Sequence, residues 1–414
     1  MPTIAMKQTL TFITLLLFSA ITLAGEPWPA WRGPHTDGVS HEKVEFPTHW
    51  SPTDNVAWKS PLPGVGHSSP IVWNDRVFLT SCLEPTGERL LLCLDAKTGS
   101  IVWQKTVLTA KLEHKHKLNS FASSTPATDG KSLWVTFFEQ PFIRVACYDF
   151  DGNRKWMITP GKFNSPHGFC SSPILYKNLL IVNCDQDNQE AFIVALDKST
   201  GKEVYRINRP NQTRSYCVPI IVDAAGKKQM VLSGSKCVAS YDPDTGKQIW
   251  IIQGPTEQFV ATMVFTADVF FITGGFPQHH VLGIRPDGHG DVTDTHILWR
   301  SNQATSYVPS PIAYQGLFFL ISDEGIASCF EPKTGERYWK ERLGRHFSAS
   351  LTAAGGNVYF LDDDGRMTVV KADKKFEVVA RNDLKEECYA SPALSGGQIF
   401  IRTVKALYCI AAVK

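Results

Sequence analysis

The chain has 414 residues with 42 basic and 40 acidic side chains, which gives a formal net charge of +2 at pH 7. Because the charges are nearly balanced and form no like-charged block, the sequence lacks the electrostatic pattern of a protein that binds nucleic acid or an anionic membrane surface. Only 20% of the residues are charged, while Gly, Pro and aromatic residues are plentiful. This composition is typical of short strands joined by tight turns.

Residues 1–24 have the pattern of a signal peptide. Lys7 precedes an apolar run over residues 10–23, which ends at the small residues Ala24 and Gly25. The run is short for a membrane span, although an uncleaved anchor is the alternative. No Cys lies near this position, and no later stretch is apolar enough to span a bilayer. We therefore predict an exported protein, periplasmic or extracellular, that is not a lipoprotein and begins near Gly25.

A lead-in over residues 25–54 is followed by a strand signal without obvious partners. Val56-Ala57-Trp58-Lys59 has the pattern that recurs at Ile101-Val102-Trp103-Gln104. The second copy closes a group of four strand signals, whose first three lie at 69–72, 77–80 and 90–94. Four antiparallel strands per repeat are the pattern of a propeller blade.

A turn followed by an aromatic residue recurs along the chain. Its full form is an acid, two residues, Thr and Gly, with the aromatic four residues after the Gly. The acid accepts hydrogen bonds from the turn amides, and Gly supplies the positive φ that the turn needs. The full copies run from Asp95 to Trp103, Asp197 to Tyr205, Asp242 to Trp250 and Glu331 to Trp339; Asp149 to Trp156 is one residue shorter, and a looser copy with Asp287-Gly288 precedes Trp299.

These aromatic residues indicate packing between blades. A cofactor stack or a glycan platform would also use aromatic rings, but one ring per repeat at a fixed register is what blade packing requires. Their spacing, on the order of 40 to 50 residues, is that of four-stranded propeller repeats. The predicted blade anchors are Trp58, Trp103, Trp156, Tyr205, Trp250, Trp299 and Trp339.

The end of the chain predicts how the ring closes. Seven full repeats precede a fragment whose last strand signal, 406–410, lies almost at Lys414 and leaves no room for an outer strand. The unpaired N-terminal signal would supply that strand and remove an open edge. We therefore predict an all-β, eight-bladed β-propeller over residues 55–414, with four-stranded antiparallel blades and with residues 55–63 completing the C-terminal blade.

The ten cysteines do not form a metal or haem motif. Cys93, Cys147 and Cys329 each lie two residues before a turn acid, a position that Ala195 fills in another repeat. A position that accepts Cys or Ala is a small, buried strand site. The chain has no C-x-x-C, so neither zinc nor c-type haem is supported. Pairing between cysteines on different strands stays open.

The Asp-x-x-Thr-Gly-x-x-x-Trp repeats resemble those of pyrroloquinoline-quinone (PQQ)-like propellers. That group includes quinoprotein alcohol dehydrogenases and non-catalytic members such as the propeller subunit of the outer-membrane β-barrel assembly machinery. The resemblance extends from about Trp28 to the C-terminus, and Trp31-Arg32-Gly33-Pro34 with Asp37-Gly38 is similar to the lead-in of exported bacterial members. It implies the fold more strongly than an activity.

The chain departs from both groups. The dehydrogenases are larger and carry an adjacent Cys-Cys pair, a calcium-binding set and an Asp base, and none of these can be placed on a matching segment. The assembly subunit is a lipoprotein, whereas this chain lacks the lipidation Cys. We therefore expect no catalytic residues, no metal site and no bound cofactor; PQQ with calcium belongs only to the alternative of a small PQQ-dependent oxidoreductase.

The loops that enter the innermost strands predict the ligand site, because in a propeller they meet at one mouth of the central channel. A polar rim without function is the simpler interpretation; a cationic, aromatic funnel for an anionic ligand is the other. Three histidines come from different blades without metal-ligand spacing. The candidate residues are His67, Asn119, His167, Arg214, Tyr307, Arg345 and His346.

The leading functional hypothesis is a non-catalytic, exported propeller that acts as a binding or scaffolding module in the periplasm or cell envelope. Its expected partner is an envelope protein, an anionic small molecule or a glycan, and we expect a monomer without a membrane span after signal removal. The sequence does not identify the partner.

Overall fold

The computed structural model describes residues 25–188, 190–209, 211–303 and 305–412. The predicted signal peptide, residues 1–24, lies outside the described residues. Within the described residues, thirty-three strands form eight sheets, and the innermost strands surround a central channel. The predicted eight-bladed propeller of antiparallel four-stranded blades is confirmed. The described residues contain no helix long and apolar enough to cross a membrane.

In seven of the eight blades, the strands run outward from the channel in chain order. The first four blades consist of β2 (Ile71–Trp73), β3 (Arg76–Leu83), β4 (Glu88–Asp95) and β5 (Ile101–Thr109); β6 (Ala127–Thr128), β7 (Leu133–Glu139), β8 (Phe142–Tyr148) and β9 (Arg154–Lys162); β10 (Ile174–Tyr176), β11 (Leu179–Cys184), β12 (Phe192–Asp197) and β13 (Glu203–Asn208); β14 (Ile220–Ala224), β15 (Lys227–Gly234), β16 (Cys237–Tyr241) and β17 (Gln248–Gln253).

The next three blades follow the same order, and the outermost strand of the eighth blade is the N-terminal strand. These four blades consist of β18 (Val264–Thr266), β19 (Val269–Gly274), β20 (His280–Ile284) and β22 (Ile297–Ser301); β23 (Ile312–Tyr314), β24 (Leu317–Ile321), β25 (Ile326–Phe330) and β26 (Arg337–Arg342); β27 (Thr352–Ala354), β28 (Asn357–Leu361), β29 (Arg366–Lys371) and β30 (Val378–Asp383); β31 (Ala393–Ser395), β32 (Gln398–Arg402), β33 (Ala406–Ile410) and β1 (Val56–Pro61).

The N-terminal strand closes the ring as predicted. β1 pairs antiparallel with β33, and Trp58 lies opposite Cys409. The fourth blade carries an additional strand that the sequence did not indicate, because β21 (Gly290–Asp291) from the fifth blade pairs in parallel with β17.

The recurring turn forms for the reason that its residues suggest. Asp95 Oδ1 accepts hydrogen bonds from the backbone N–H groups of Lys97 and Thr98 at 3.0 and 2.8 Å. Gly99 has φ 74°, and a Cβ there would come within 2.5 Å of the Trp58 ring. The Gly therefore permits both the turn conformation and the close packing of the preceding blade's anchor.

Most of the aromatic anchors donate a hydrogen bond to the turn of the next blade. These bonds join Trp58 to the Ala96 carbonyl (2.9 Å), Trp103 to Phe150 (2.9 Å), Tyr205 to Pro243 (2.8 Å), Trp299 to Pro332 (2.8 Å) and Trp339 to Asp373 (3.0 Å). Trp156 packs against Gly201, where Trp134 makes the corresponding bond to Lys198. Trp250 is fully buried and bonds to Gln229 inside its own blade.

The ten cysteines all lie in the described part of the chain and are free thiols. Cys93, Cys147 and Cys329 are buried. Burial also raises the pKa of these thiols, to about 12 for Cys93 and Cys329 and about 11 for Cys147. Such thiols contribute to the packing of the blades and are poor nucleophiles.

The lead-in forms a plug at one end of the channel. Trp28 makes a two-way backbone bridge with Val72 of the first blade at 2.8 Å, and Thr128 of the second blade donates to the Pro29 carbonyl at 2.8 Å. Ala353 of the seventh blade exchanges backbone bonds with Gly38 and Ser40 at 3.0 and 2.9 Å. Arg32 donates to the Pro311 carbonyl at the start of the sixth blade, which lies opposite the second in the ring of eight, so the lead-in spans the end of the channel.

Candidate functional site

The central channel forms a cavity of about 620 Å³ that is closed at one end by the lead-in. Its wall has two layers, because side chains two residues apart on an extended segment point the same way. The outer layer, toward the open mouth, includes His67, Ser123, Cys170, Tyr216, Val260, Val308, Ser348 and Tyr389. The inner layer, next to the plug, includes Ser69, Thr125, Ser172, Val218, Ser310, Ser350 and Ser391.

The inner layer is joined from blade to blade by hydrogen bonds. In five cases, the backbone N–H of one blade's residue donates to a neighbouring hydroxyl oxygen in this layer. The bonds run from Ser69 to Thr125 (2.9 Å), Thr125 to Ser172 (2.9 Å), Thr262 to Ser310 (2.9 Å), Ser310 to Ser350 (3.0 Å) and Ser350 to Ser391 (3.0 Å). We call the six hydroxyl residues that line the cavity, Ser69, Thr125, Ser172, Ser310, Ser350 and Ser391, the hydroxyl crown.

Five of the six crown residues belong to Ser-Pro or Thr-Pro pairs at the strand starts, whereas Ser350 is followed by Leu351. Pro in the next position removes a backbone donor, and an innermost strand needs none at its first residue. Val218 occupies the crown position in the fourth blade and breaks the series of hydroxyls. Its N–H donates to Thr262 Oγ1 at 2.9 Å, and that hydroxyl donates back to the Val218 carbonyl at 3.2 Å.

Trp31 of the lead-in forms the floor beneath the crown. Its neighbour Arg32 is fully buried and donates to the carbonyls of Asp37 and Pro311 at 2.6 and 2.7 Å. Burial outweighs the attraction of Asp37 and lowers the pKa of Arg32 to about 10. Arg32 therefore joins the plug to the sixth blade through backbone carbonyls.

A connection over residues 110–126 supplies one side of the mouth. Glu113 of this connection is buried in an ion pair with Arg89 at 2.5 Å, which fixes it to the first blade. Asn119 donates its amide N–H to the His167 carbonyl at 2.7 Å. A connection of this length without strands is often functional.

Histidine and tyrosine rings cluster on the same side of the mouth. His67 packs against Tyr389 with ring centroids 4.7 Å apart, and His116 contacts His167 edge-on at 5.5 Å. His167 Nδ1 lies 2.9 Å from the Tyr216 hydroxyl. Burial is the main cause that lowers the pKa of His67 to about 3, and the positive charges of Arg402 and Lys115 act in the same direction. Burial likewise lowers the pKa of His167. The imidazole of His67 is therefore neutral at physiological pH.

The two charged residues of the described lining, Arg214 and Asp323, already have partners within the protein. Arg214 forms an ion pair with Asp187 at 2.7 Å and also donates its backbone N–H to that carboxylate. Asp323 accepts backbone hydrogen bonds from Tyr307 and Val308 at 2.7 and 3.0 Å. The mouth is thus aromatic and polar, but it carries less free positive charge than the sequence suggested.

The structure brings together five of the seven candidate site residues. His67, Asn119, His167, Arg214 and Tyr307 line the cavity. Arg345 and His346 are exposed and do not belong to its lining as the structure describes it. The backbone carbonyl of His346 instead accepts a hydrogen bond from the Asp363 N–H at 2.9 Å. This bond joins the loop between the sixth and seventh blades to a turn of the seventh blade.

Sequence reasoning missed the crown and the floor. The Ser-Pro pairs were visible in the sequence, but only as strand starts. Trp31 lies outside the repeats, so no periodic signal points to it.

PQQ with calcium does not match the donors of this cavity. Calcium takes six to eight oxygen ligands that usually include several carboxylates. Asp323 is the one carboxylate in the described lining, and both of its oxygens accept backbone N–H groups. Over the described ranges, no group of three or more His, Cys, Asp or Glu side chains is placed to hold a metal ion.

Comparison with known proteins places the fold among PQQ-like propellers. The chain is 25% identical over 204 residues to the lanthanide-dependent methanol dehydrogenase of Methylacidiphilum fumariolicum (strain SolV), which covers 45% of this chain and 30% of the relative. The chain thus matches less than a third of the length of that curated relative.

Solved structures have the same fold. BamB from Moraxella catarrhalis is similar with a TM-score of 0.61 at 12% identity, covering 86% of this chain and 99% of that one. A europium-containing methanol dehydrogenase gives a TM-score of 0.65 at 12% identity, covering 92% and 90%. The quinohemoprotein alcohol dehydrogenase ADHIIG from Pseudomonas putida HK5 gives 0.64 at 12% identity, covering 94% and 81%.

A family model matches most of the chain. The model described as outer membrane protein assembly factor BamB matches residues 88–341, 288–376 and 323–412. These overlapping matches cover more than half of the sequence, from the third strand of the first blade to the last strand of the chain. The chain belongs to this family of PQQ-like β-propellers.

Proposed function

We propose that this chain is an exported, non-catalytic propeller that acts as a binding module in the periplasm or cell envelope, with the plugged channel as its ligand site. The observation that carries the proposal is a cavity of about 620 Å³, open at one mouth, whose charged residues are already paired or hydrogen-bonded. A volume of this size is typical of small-molecule sites.

The state of the titratable groups supports binding over catalysis. A general acid or base works best with a pKa near the working pH. The pKa of His67 lies near 3, and His167 Nδ1 is engaged with the Tyr216 hydroxyl. Burial raises the pKa of the Cys170 thiol, which also lines the cavity, to about 12. These groups contribute to the shape and polarity of the cavity, and their protonation states do not suit proton transfer.

A small PQQ-dependent oxidoreductase is the second candidate, favoured by the local sequence match to a methanol dehydrogenase. Purified protein is mixed with PQQ and either calcium or a lanthanide ion, dialysed, and examined by absorbance and a dye-linked alcohol assay. We expect no retained quinone absorbance and no dye reduction. Stoichiometric retention of PQQ with alcohol-dependent dye reduction would overturn the proposed non-catalytic function.

The mouth also offers apolar contacts for a protein partner in the envelope. Phe276 lines the cavity and is 51% exposed, and Leu118, which also lines the cavity, is 49% exposed. Val204, on the outer strand β13, is a matched control because it is 52% exposed but lies away from the mouth. A photo-crosslinking residue at each position, tested in living cells, separates the two surfaces.

We expect a discrete adduct from position 276 and none from position 204. Adducts from position 204 alone would show that the partner binds the outer strands and would contradict binding at the mouth.

A further inference from the structure

The hydroxyl crown has donors that no described residue accepts. Each hydroxyl oxygen of Thr125, Ser172, Ser310, Ser350 and Ser391 accepts a backbone N–H, but none donates its own hydrogen within the described chain. The Ser69 hydroxyl forms no bond in either direction with the described residues, although Ser69 is only 3% exposed. A hydroxyl that accepts one hydrogen bond becomes a stronger donor in the next. The base of the cavity therefore presents a ring of O–H donors.

Two buried guanidinium groups lie directly behind this ring. Arg32 approaches the Ser310 carbonyl at 3.5 Å, and Arg402 donates to the Ser68 carbonyl and hydroxyl at 3.0 and 2.7 Å. Both arginines are only 2% exposed, and the Nε of each is buried without a described partner.

Neither guanidinium forms a salt bridge with a carboxylate within the described residues, although the Asp37 carboxylate attracts Arg32 without contacting it. Burial alone lowers the pKa of Arg402 to about 9. By contrast, the buried Arg89 and Arg209 pair with Glu113 and Asp185 at 2.5 and 2.8 Å. A buried charge without a counter-charge is costly, so a bound anion nearby would offset that cost.

We propose that the hydroxyl crown binds the carboxylate group of a small organic anion. Converging O–H donors match the lone pairs of a carboxylate, and the field of Arg32 and Arg402 favours its negative charge. Phosphate is usually bound with Arg or Lys side chains in direct contact, and Arg214, the cation of the described lining, is already paired with Asp187, which favours a carboxylate as the ligand group. Tyr216, Tyr307 and Tyr389 then surround the body of the ligand. This inference rests on the proposed binding function and names its ligand class.

Benzoate, with benzamide as its neutral counterpart, is a suitable probe because the two differ mainly in charge. Calorimetric titration of the full mature chain at pH 7.5 should show benzoate binding at least about tenfold more tightly than benzamide, since hydrogen bonds to charged groups are the stronger ones. Equal affinity, or no benzoate binding at millimolar concentrations, would overturn the carboxylate assignment.

Ser69→Ala removes a crown donor without removing an inter-blade hydrogen bond, so it should fold normally and weaken benzoate binding by about tenfold. Thr262→Val is the matched control, because the Thr262 hydroxyl occupies the same register but bonds to the Val218 carbonyl rather than lining the cavity. It should lower stability and leave benzoate affinity unchanged. Val218→Thr completes the ring of hydroxyls and should tighten binding.

Unchanged benzoate affinity in both Ser69→Ala and Val218→Thr would rule out the crown as the receptor. The PQQ assay and the crosslinking comparison test the proposed function separately, so a failure of the crown is distinguishable from a failure of the binding role.

Discussion

The indole N–H of Trp58 donates to the carbonyl oxygen of Ala96 at 2.9 Å, across the seam between the eighth blade and the first. Trp58 lies on the N-terminal strand but belongs to the C-terminal blade, where its ring also packs against Phe400 with centroids 6.0 Å apart. One residue thus joins the two ends of the chain to each other and to the first blade.

Replacing Trp58 with Ala should destabilise the propeller by about 3–5 kcal/mol, because it leaves a large cavity at the seam. Trp58→Phe keeps most of the packing and loses the hydrogen bond, so its cost should be about 1 kcal/mol. Denaturant unfolding followed by circular dichroism measures both. Val204→Ala, on an exposed outer strand, is the control and should change stability by less than about 0.5 kcal/mol. A Trp58→Ala protein as stable as this control would contradict closure by β1.

Replacing Arg32 with Ala should loosen the plug, because the carbonyls of Asp37 and Pro311 lose their buried donor. We expect a cost of about 1–3 kcal/mol and faster proteolysis within residues 35–45 than elsewhere. Mass spectrometry of timed digests locates the cuts. Arg381→Ala, an exposed position, should digest like the unmodified protein; equal rates for both variants would mean that Arg32 does not hold the lead-in.

The neutral state of His67 predicts a loss of stability in acid. Its pKa is about 3 in the folded protein and 6.5 when unperturbed, so the folded state binds fewer protons than the unfolded state between these values. The contribution is present above pH 6.5 and is lost progressively as the pH falls toward 3.

Between pH 7.5 and pH 5, the unmodified protein should therefore lose about 1–2 kcal/mol relative to His67→Gln. Unfolding curves at both pH values give this difference. His114→Gln, which removes an exposed histidine of the same mouth connection, is the control. A His67→Gln protein that parallels the unmodified one at both pH values would contradict a buried neutral imidazole.

The raised pKa of Asp363 predicts the opposite dependence of stability on pH. Burial raises its pKa from 3.8 to about 6, so the folded state holds the proton more tightly and this group's contribution to stability falls as the pH rises from about 4 to 6. Asp363→Asn removes the cost of burying the charge and keeps an acceptor for the Ser348 hydroxyl.

Its melting temperature should exceed that of the unmodified protein by about 2 °C at pH 7.5, and the difference should disappear near pH 4. Asp364→Asn changes the exposed neighbour and serves as the control. Equal melting temperatures of the Asp363→Asn and unmodified proteins at pH 7.5 would show that the Asp363 carboxylate is not strained by burial.

Export stays a prediction, because residues 1–24 lie outside the described residues. N-terminal sequencing of protein recovered from the envelope fraction should start near Gly25, since small residues precede the polar Glu26. Recovery of membrane-bound chains that begin at Met1 would support an uncleaved anchor instead.

The sequence by itself determined the propeller, because its signals are local. Asp95, Thr98, Gly99 and Trp103 lie within nine residues of one another, and each copy of this turn specifies one hairpin at any point in the chain. The last blade lacks an outer strand, and the strand at Trp58 has no partner nearby in the sequence. Pairing the two is therefore the simplest way to close the ring.

Only the tertiary structure decided the properties of the channel, because they depend on residues from different blades. Arg214 looked like a free cation until Asp187 of the preceding blade was placed beside it at 2.7 Å. Arg345 looked equivalent to the other mouth residues, but it is exposed outside the described cavity lining, and the carbonyl of its neighbour His346 accepts the Asp363 N–H of the next blade. Successive hydroxyls of the crown lie at least 40 residues apart in the sequence, and only closure of the ring brings them together around one cavity.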